Sequence, residues 1–340
     1  MKGVFALETF FTKKDTMATK GFAIFLLLFH HLFYASPEFS INILGVNVFN
    51  KLAIASRVTV AIFIILSGYG LTESTKNKKL GILRFYYKRY SKLFVSYWVI
   101  FLIFVPIGVF VFGRTIHSVY GNHSYIKLIV EFFGLQEFVF GHGYNPTWWF
   151  MSAIILLYAL FPLLYFLIKR YSWLPLVLLA RIMFSEIHMS EWLLPFGIGI
   201  FLSLHLTPKW QERIKRFLFT SKTKAILLLI SLIVIAIYLR FHHQFFRNQR
   251  LDSFLGLSLI SLNWILIKSF NFLNRVFTAF GKVSMEIFLF HTFIYFYFYR
   301  NFFYSLQNPI LMVGVLALVC LIIGIVLNKL CSKIYSVIPQ

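Results

Sequence analysis

Acidic residues are scarce in this 340-residue chain: eleven Asp and Glu stand against 33 Lys and Arg, a formal net charge of +22. Cysteine is nearly absent. Cys320 and Cys331 both fall in or beside the last apolar run, which leaves no disulfide framework and no metal-ligand spacing. Charged residues of either sign make up only 13%, well below the share a soluble domain carries. Internal repeats and flexible linkers are also missing, which points to one integral domain over 1–340. What is present is apolar: 59% of residues are hydrophobic and 20% aromatic, with a mean hydropathy of +0.79. Such a composition belongs to a polytopic membrane protein. In a soluble chain the positive charge would suggest nucleic acid; here cation-rich cytoplasmic loops account for it, and nucleic acid is not an expected partner.

Apolar runs long enough to span occur at about 20–35, 52–72, 93–113, 147–168, 173–188, 191–206, 223–240, 252–268, 284–303 and 309–328. The expected fold is therefore all-α and membrane-integral, with about ten transmembrane helices. The lysines before the first run are not followed by a small-residue cleavage site, so that run is a retained helix rather than a signal peptide. Placing both termini in the cytoplasm puts most of the bases in inside loops. Arg240, Arg247 and Arg250 then lie outside, against the rule. The segment 125–140 reads as an amphipathic or re-entrant piece.

The first run, KKDTMATKGFAIFLLLFHHLF (Lys13 to Phe33), sets two adjacent histidines in an apolar helix. Ionisable groups at membrane depth are costly and mark functional sites by default. Lys20 and His31 are eleven residues apart, about 1100° of helix, so they share a face to within about 20°. His30 points about 80° away. The rise between Lys20 and His31 is about 16 Å, which predicts a His31 near mid-bilayer on a stripe anchored by a membrane-edge lysine. Asp15 reads either as a helix cap or as a group orienting the histidine's partner, with the cap preferred.

Four later stretches stand out. VTVAIFIILSGYGL carries Ser67 and Gly68, suited to close helix contact, behind Arg57, which either snorkels to the surface or meets an anionic sugar. KNKKLGILRFYYKRYSKLFVSYW is a basic cytoplasmic segment with Arg84, Lys88, Arg89 and Lys92, fit for anionic lipid and for setting topology. PTWWFMSAIILLYALFPLLY offers Trp149 as an interfacial belt residue or a sugar-stacking platform. GKVSMEIFLFHTFIY brings Gly281, Ser284 and His291 together, with Ser284 and His291 on one face and the membrane acid Glu286 in need of a cation or a proton. His142, Glu137, Glu186, His188 and Glu191 read as residues of solvated outer loops.

Together these stretches resemble the acyltransferase-3 family of membrane O-acyltransferases, and the resemblance covers nearly the whole chain. The family's first helix has a basic residue, ten intervening residues and a histidine, matched by Lys20 and His31. An acid three before the basic residue is common there; this chain has Met17. The Ser-Gly-Tyr helix end (Ser67, Gly68), an Arg-x-x-Arg-like segment (Arg89, Lys92), the Trp-Phe helix (Trp149, Phe150) and the late Gly, Ser and His complete the match. The resemblance implies acyl transfer, most simply of acetyl, from acetyl-CoA or another acyl-CoA to a hydroxyl of a cell-surface or lipid-linked glycan. It implies His31 as base or acyl carrier, Lys20 with Glu286 or Asp15 as its companions, and the Arg84–Lys92 segment as the acyl-CoA receiver. It also implies a bacterial plasma-membrane location, no metal, and contact with polysaccharide synthesis machinery. No extracellular hydrolase-like domain is expected after the last helix. A glycan or lipid-linked saccharide exporter is the alternative from a different class.

Overall fold

The computed structural model describes residues 10–35, 42–43, 46–77, 81–141, 143–183, 189–243 and 250–338. Among the described residues seventeen α-helices follow in order: α1 (Lys13–Phe33), α2 (Val48–Ala55), α3 (Thr59–Thr75), α4 (Ile82–Phe110), α5 (Ile116–Tyr120), α6 (Ser124–Phe132), α7 (Gln136–Val139), α8 (Trp149–Tyr171) and α9 (Leu174–Met183). Then come α10 (Leu193–His205), α11 (Pro208–Thr220), α12 (Lys222–His242), α13 (Asp252–Ser269), α14 (Asn271–Lys282), α15 (Ser284–Thr292), α16 (Arg300–Ser305) and α17 (Pro309–Ser336). One antiparallel pair of two-residue strands, β1 (Asn42–Ile43) and β2 (Val46–Asn47), precedes α2.

Six segments among the described residues are long and apolar enough to cross a membrane: α1, the composite Val48–Thr75, α4, α8, α12 and α17. This is a multi-pass membrane protein. The remaining four of the ten expected runs take other forms. Two become the short helices α9 and α10, of 10 and 13 residues. The 252–268 run forms α13, whose 18 residues include Asp252, three serines before the last turn, Asn263 and Lys268. The 284–303 run breaks into α15, a π-helical turn (Phe293–Phe298) and α16.

The basic segment expected as a loop before 93 is instead the first turns of α4, which starts at Ile82 right after Gly81. No proline or glycine interrupts RFYYKRYSKL, so the helix runs through it. Pro106 in α4 and Pro162 in α8 are carried inside their helices, as membrane helices allow. The 125–140 piece forms α6 and α7, broken at Gly134 with φ +69°.

α1 is the hub, touching α2, α3, α13, α14, α15 and α17. It starts with a capping box: Asp15 N–H donates to Thr12 Oγ1 at 3.1 Å, and Asp15 Oδ2 accepts from Thr12 N–H at 3.1 Å. Lys268 Nζ, from the last turn of α13, sits 2.8 Å from Asp15 Oδ1. At the other end, Asn50 Nδ2 donates to the Tyr34 carbonyl at 3.0 Å and to that of Phe33 at 3.4 Å, satisfying groups a helix end leaves open.

Lipid supplies no hydrophobic drive between helices, so close backbone approach and polar bonds hold them. Two glycine seams do this. A Cβ on Gly21 would run into the Phe277 carbonyl and one on Gly281 into the Met17 carbonyl, locking α1 to α14. Gly68 and Gly199 relate α3 to α10 in the same reciprocal way, against the carbonyls of Phe196 and Ile65. Thr59 Oγ1 donates to the Ala23 carbonyl at 2.6 Å, and Asn263 Nδ2 to Thr19 Oγ1 at 3.0 Å.

Gly281→Ala, which places a methyl against a backbone carbonyl, is expected to destabilise by on the order of 3 kcal/mol. Gly314→Ala, where a Cβ meets nothing within 4 Å, is expected to be neutral or slightly stabilising. Thermal unfolding of detergent-purified variants checks both, and equal losses at the two positions would refute the seam.

Candidate active site

His30 and His31 occupy the last turn of α1, not its middle. The helix starts at Lys13 and ends at Phe33, so the histidines open onto the far end of the bundle. There a cavity of 560 Å³ is lined by His30, His31, Tyr34, Arg57, Thr147, Trp149, Arg240 and Phe288, among others. His31 is half-buried. Its ring packs 4.9 Å from that of His291 and 4.8 Å from that of His30.

The two neighbouring histidines are fixed by backbone carbonyls. His30 Nδ1 is 2.8 Å from the Ala53 oxygen. His291 Nδ1 is 3.0 Å and 3.1 Å from those of Ile287 and Phe288. Carbonyls only accept, which assigns the proton to Nδ1 in both rings. His291 Nε2 is then a bare acceptor, buried and without a partner among the described residues, on the ring beside His31. Tyr295 Oη donates to the His31 carbonyl at 3.0 Å, and Tyr304 Oη to that of Leu32 at 2.8 Å. Both tyrosines lie in or after the π-helical turn, a distortion that recurs at functional sites.

The loop before α8 ties this end together. Asn145 Oδ1 accepts from Thr147 N–H (2.9 Å), Thr147 Oγ1 (2.8 Å) and Thr292 Oγ1 (2.8 Å). Trp148 Nε1 donates to the Leu289 carbonyl at 2.8 Å. This sets Trp149 at the cavity wall, its ring stacked on Trp192 at 5.5 Å.

Arg240 is one of the three arginines that run against the charge rule. Its Nη1 is 2.6 Å from Asp252 Oδ1, and both side chains are buried, so the charge is paired rather than presented to lipid. Arg57 lines the same cavity.

A second cavity of 90 Å³ lies at the Lys20 end, lined by Lys20, Ser67, Tyr158, Ser284 and a set of apolar side chains. The helical phase thus puts Lys20 and His31 on one face, but in two chambers. Arg89 and Lys92 are within electrostatic reach of Lys20. Arg89 also donates from Nη2 to Ser74 Oγ at 2.5 Å. None of Arg84, Lys88, Arg89 and Lys92 lines either chamber, and of the four only Arg89 is half-buried, the others being exposed.

Neither predicted acid lines the His31 cavity. Asp15 is engaged in the helix cap and with Lys268. Glu286 Oε1 accepts from Ser96 Oγ and Asn328 Nδ2, each at 3.2 Å, rather than from Arg57, Lys20 or a histidine. Ser284 Oγ donates to the Gly281 carbonyl at 3.0 Å. His142, Glu186, His188 and Arg247 lie outside the described residues. Reasoning from sequence missed Tyr34, Asn145, Trp148 and Tyr295. An Asn-Pro-Thr stretch leading into the double tryptophan was the available signal for Asn145.

The acyltransferase-3 family model, an acyltransferase domain, matches residues 18–329. The match takes in every element of both chambers, and the chain belongs to that family: it is a membrane acyltransferase. No curated protein and no solved structure matches it.

Beside the site, the α5–α7 segment is organised on Glu131, a fully buried carboxylate. Glu131 Oε2 accepts from Tyr144 N–H at 2.7 Å and from Tyr120 Oη, and the Glu131 carbonyl accepts from Tyr97 Oη at 2.6 Å. Burial pushes the Glu131 carboxyl up to about 8, opposed by the Tyr144 and Asn145 amides and by Arg114. The ordinary value is 4.5, so between these values the folded chain holds a proton that the unfolded chain has released. Stability is therefore lost as pH rises through this window. The melting temperature is expected to fall from about pH 5 to about pH 8.5, and Glu131→Gln to flatten that slope. Parallel pH profiles of the two proteins would refute the assignment.

Proposed function

We propose that the protein transfers an acyl group, acetyl in the simplest case, from acyl-CoA to a hydroxyl of a cell-surface or lipid-linked glycan. The observation that carries this is the His31 imidazole on the wall of a 560 Å³ cavity, with Trp149, Arg57 and Arg240 on the same wall. A tryptophan face suits a sugar ring, and the cavity is roomy enough for one residue of a saccharide. The orientation that puts α1's first residues in the cytoplasm gives the Lys20 chamber to the donor and the His31 chamber to the acceptor.

In this reading Arg89 and Lys92 receive the phosphates of CoA, as fixed cations at a membrane surface do. Lys20 continues that charge into the chamber. The exposed Arg84 and Lys88 face anionic lipid headgroups. A neutral imidazole takes a proton on its bare ring nitrogen. As the acceptor oxygen attacks the thioester carbonyl, its proton passes to His31. The carbon–sulfur bond breaks, and the leaving sulfur recovers the proton, giving an ester and free CoA. The same balance holds if His31 first carries the acyl group itself. His291 Nε2, an acceptor on the adjoining ring, takes the orienting role sought in an acid. Glu286 and Asp15 act at a distance, through packing and the helix cap.

With labelled acetyl-CoA and an isolated glycan fraction, His31→Ala is expected to lose on the order of a thousandfold in transfer at an unchanged level in the membrane. His30→Ala is expected to lose about tenfold or less. Transfer by His31→Ala at the parent rate would overturn the reading. Failure of the parent protein to bind or deacylate acyl-CoA would favour a saccharide exporter. Arg89→Ala is expected to raise KM for acetyl-CoA about tenfold with kcat little changed. An unaltered KM would leave Arg89 to topology alone.

A further inference from the structure

The two chambers are stacked along one axis. Four helices contribute to both, in successive turns. α1 gives Lys20 to one and Leu27 and His31 to the other; α3 gives Ser67 and Phe63, then Val60 and Thr59. α8 and the residues just before it give Tyr158, Ile154 and Phe150, then Trp149 and Thr147, and α15 gives Ser284 and Met285, then Phe288. Of all these side chains, Phe288 alone lines both cavities.

Its ring is clamped rather than loose. Phe63 packs edge-on at 5.8 Å and 90°, and Phe150 lies at 4.5 Å, tilted by 40°. All three rings are buried, Phe288 to 3% exposure although it borders two voids. The layer therefore separates a chamber with cationic and hydroxyl groups from one with three histidines at its margin. Tyr158 and Ser67 bring hydroxyl groups to the wall of the Lys20 chamber. A buried aromatic ring turns about its own torsions without breaking any hydrogen bond, so this layer can open without disturbing the polar bonds around it.

We propose that Phe288, held by Phe63 and Phe150, is the partition between the donor and acceptor chambers, and that the acyl-bearing arm of the donor must displace this ring to bring its thioester to His31. The proposal rests on the donor and acceptor assignment above. It makes the ring a specificity and gating residue: closed, it keeps water of the His31 chamber off a thioester waiting in the Lys20 chamber. It is not a catalytic residue, since its ring carries no proton.

Two measurements test it. Cys320 and Cys331 are buried, so the parent chain is a blank for thiol labelling, and Ser67→Cys puts a thiol in the lower chamber. A membrane-impermeant methanethiosulfonate is added on the His31 side of oriented vesicles, with no acyl-CoA present. Labelling of the introduced thiol is expected to be slow with Phe288 in place, about tenfold or more faster in Phe288→Ala, and slow again in Phe288→Trp. Fast labelling with Phe288 intact, or no acceleration in a Phe288→Ala protein that melts cooperatively, overturns the partition. This readout needs no transferase activity, so it stands or falls apart from the function proposed above. The second measurement is acceptor-free hydrolysis of acetyl-CoA, expected to rise about fivefold or more in Phe288→Ala. Faster labelling with unchanged hydrolysis overturns the donor-gating half of the proposal.

Discussion

The glycine seam between α1 and α14 is the constraint on which the site depends. Gly21 and Gly281 each abut a carbonyl of the facing helix, and this fixes both the separation and the rotation of α1. In lipid no hydrophobic force would choose that rotation, because every apolar face is equally content. The buried bonds Thr59 to Ala23 and Asn263 to Thr19 then set α1 against α3 and α13. With the rotation fixed, His31 turns to its cavity and to His291, while His30 turns to the Ala53 carbonyl.

Polar bonds concentrate at the two ends of this helix. At one end the Thr12–Asp15 box and Lys268 close the helix start. At the other, Asn50, Tyr295 and Tyr304 bond to its final carbonyls. Rigid ends hold the His31 ring in place beside its cavity, and in the reading proposed above that matters because misplacement by an ångström costs large factors in rate. The π-helical turn after α15 serves the same purpose, because it turns Tyr295 back onto α1. The buried Arg240–Asp252 pair stands apart from this: it neutralises a charge that lipid could not accept and so leaves a half-polar wall on the His31 cavity.

Much of this was legible in the residues. The basic, apolar, histidine-bearing pattern of Lys13–Phe33 marked the first helix, expected over about 20–35 and found to begin earlier, at Lys13, because hydropathy and a capping signal are local properties. The placement of Lys20 and His31 on one face followed from helical geometry alone. Gly68 was readable as a point of close approach, and Gly281 as part of a motif, although its partner Gly21 was not. The break of the 284–303 run was less visible. A window of hydropathy counts apolar residues and is blind to the extra residue per turn that makes a π-helix. The basic segment before 93 looked like a loop for a similar reason: charge marks the membrane edge, yet a helix continues past that edge when nothing breaks it.

The acids show most clearly where reading from sequence stops. Asp15 and Glu286 were candidates for His31 by type and by depth, and the fold gives one to Thr12 and Lys268 and the other to Ser96 and Asn328. The sequence by itself determined that this is a helical membrane protein and which histidine shares a face with Lys20, because periodicity and composition are carried by neighbours in the chain, and its short motifs carried the resemblance to the acyltransferase-3 family. Only the tertiary structure decided what touches His31, that one aromatic layer lies between its cavity and the Lys20 chamber, and that the ring of His291 packs against that of His31. Those contacts join residues as far apart as 31 and 291, and such pairs are set by how helices rotate and dock, which local sequence does not encode.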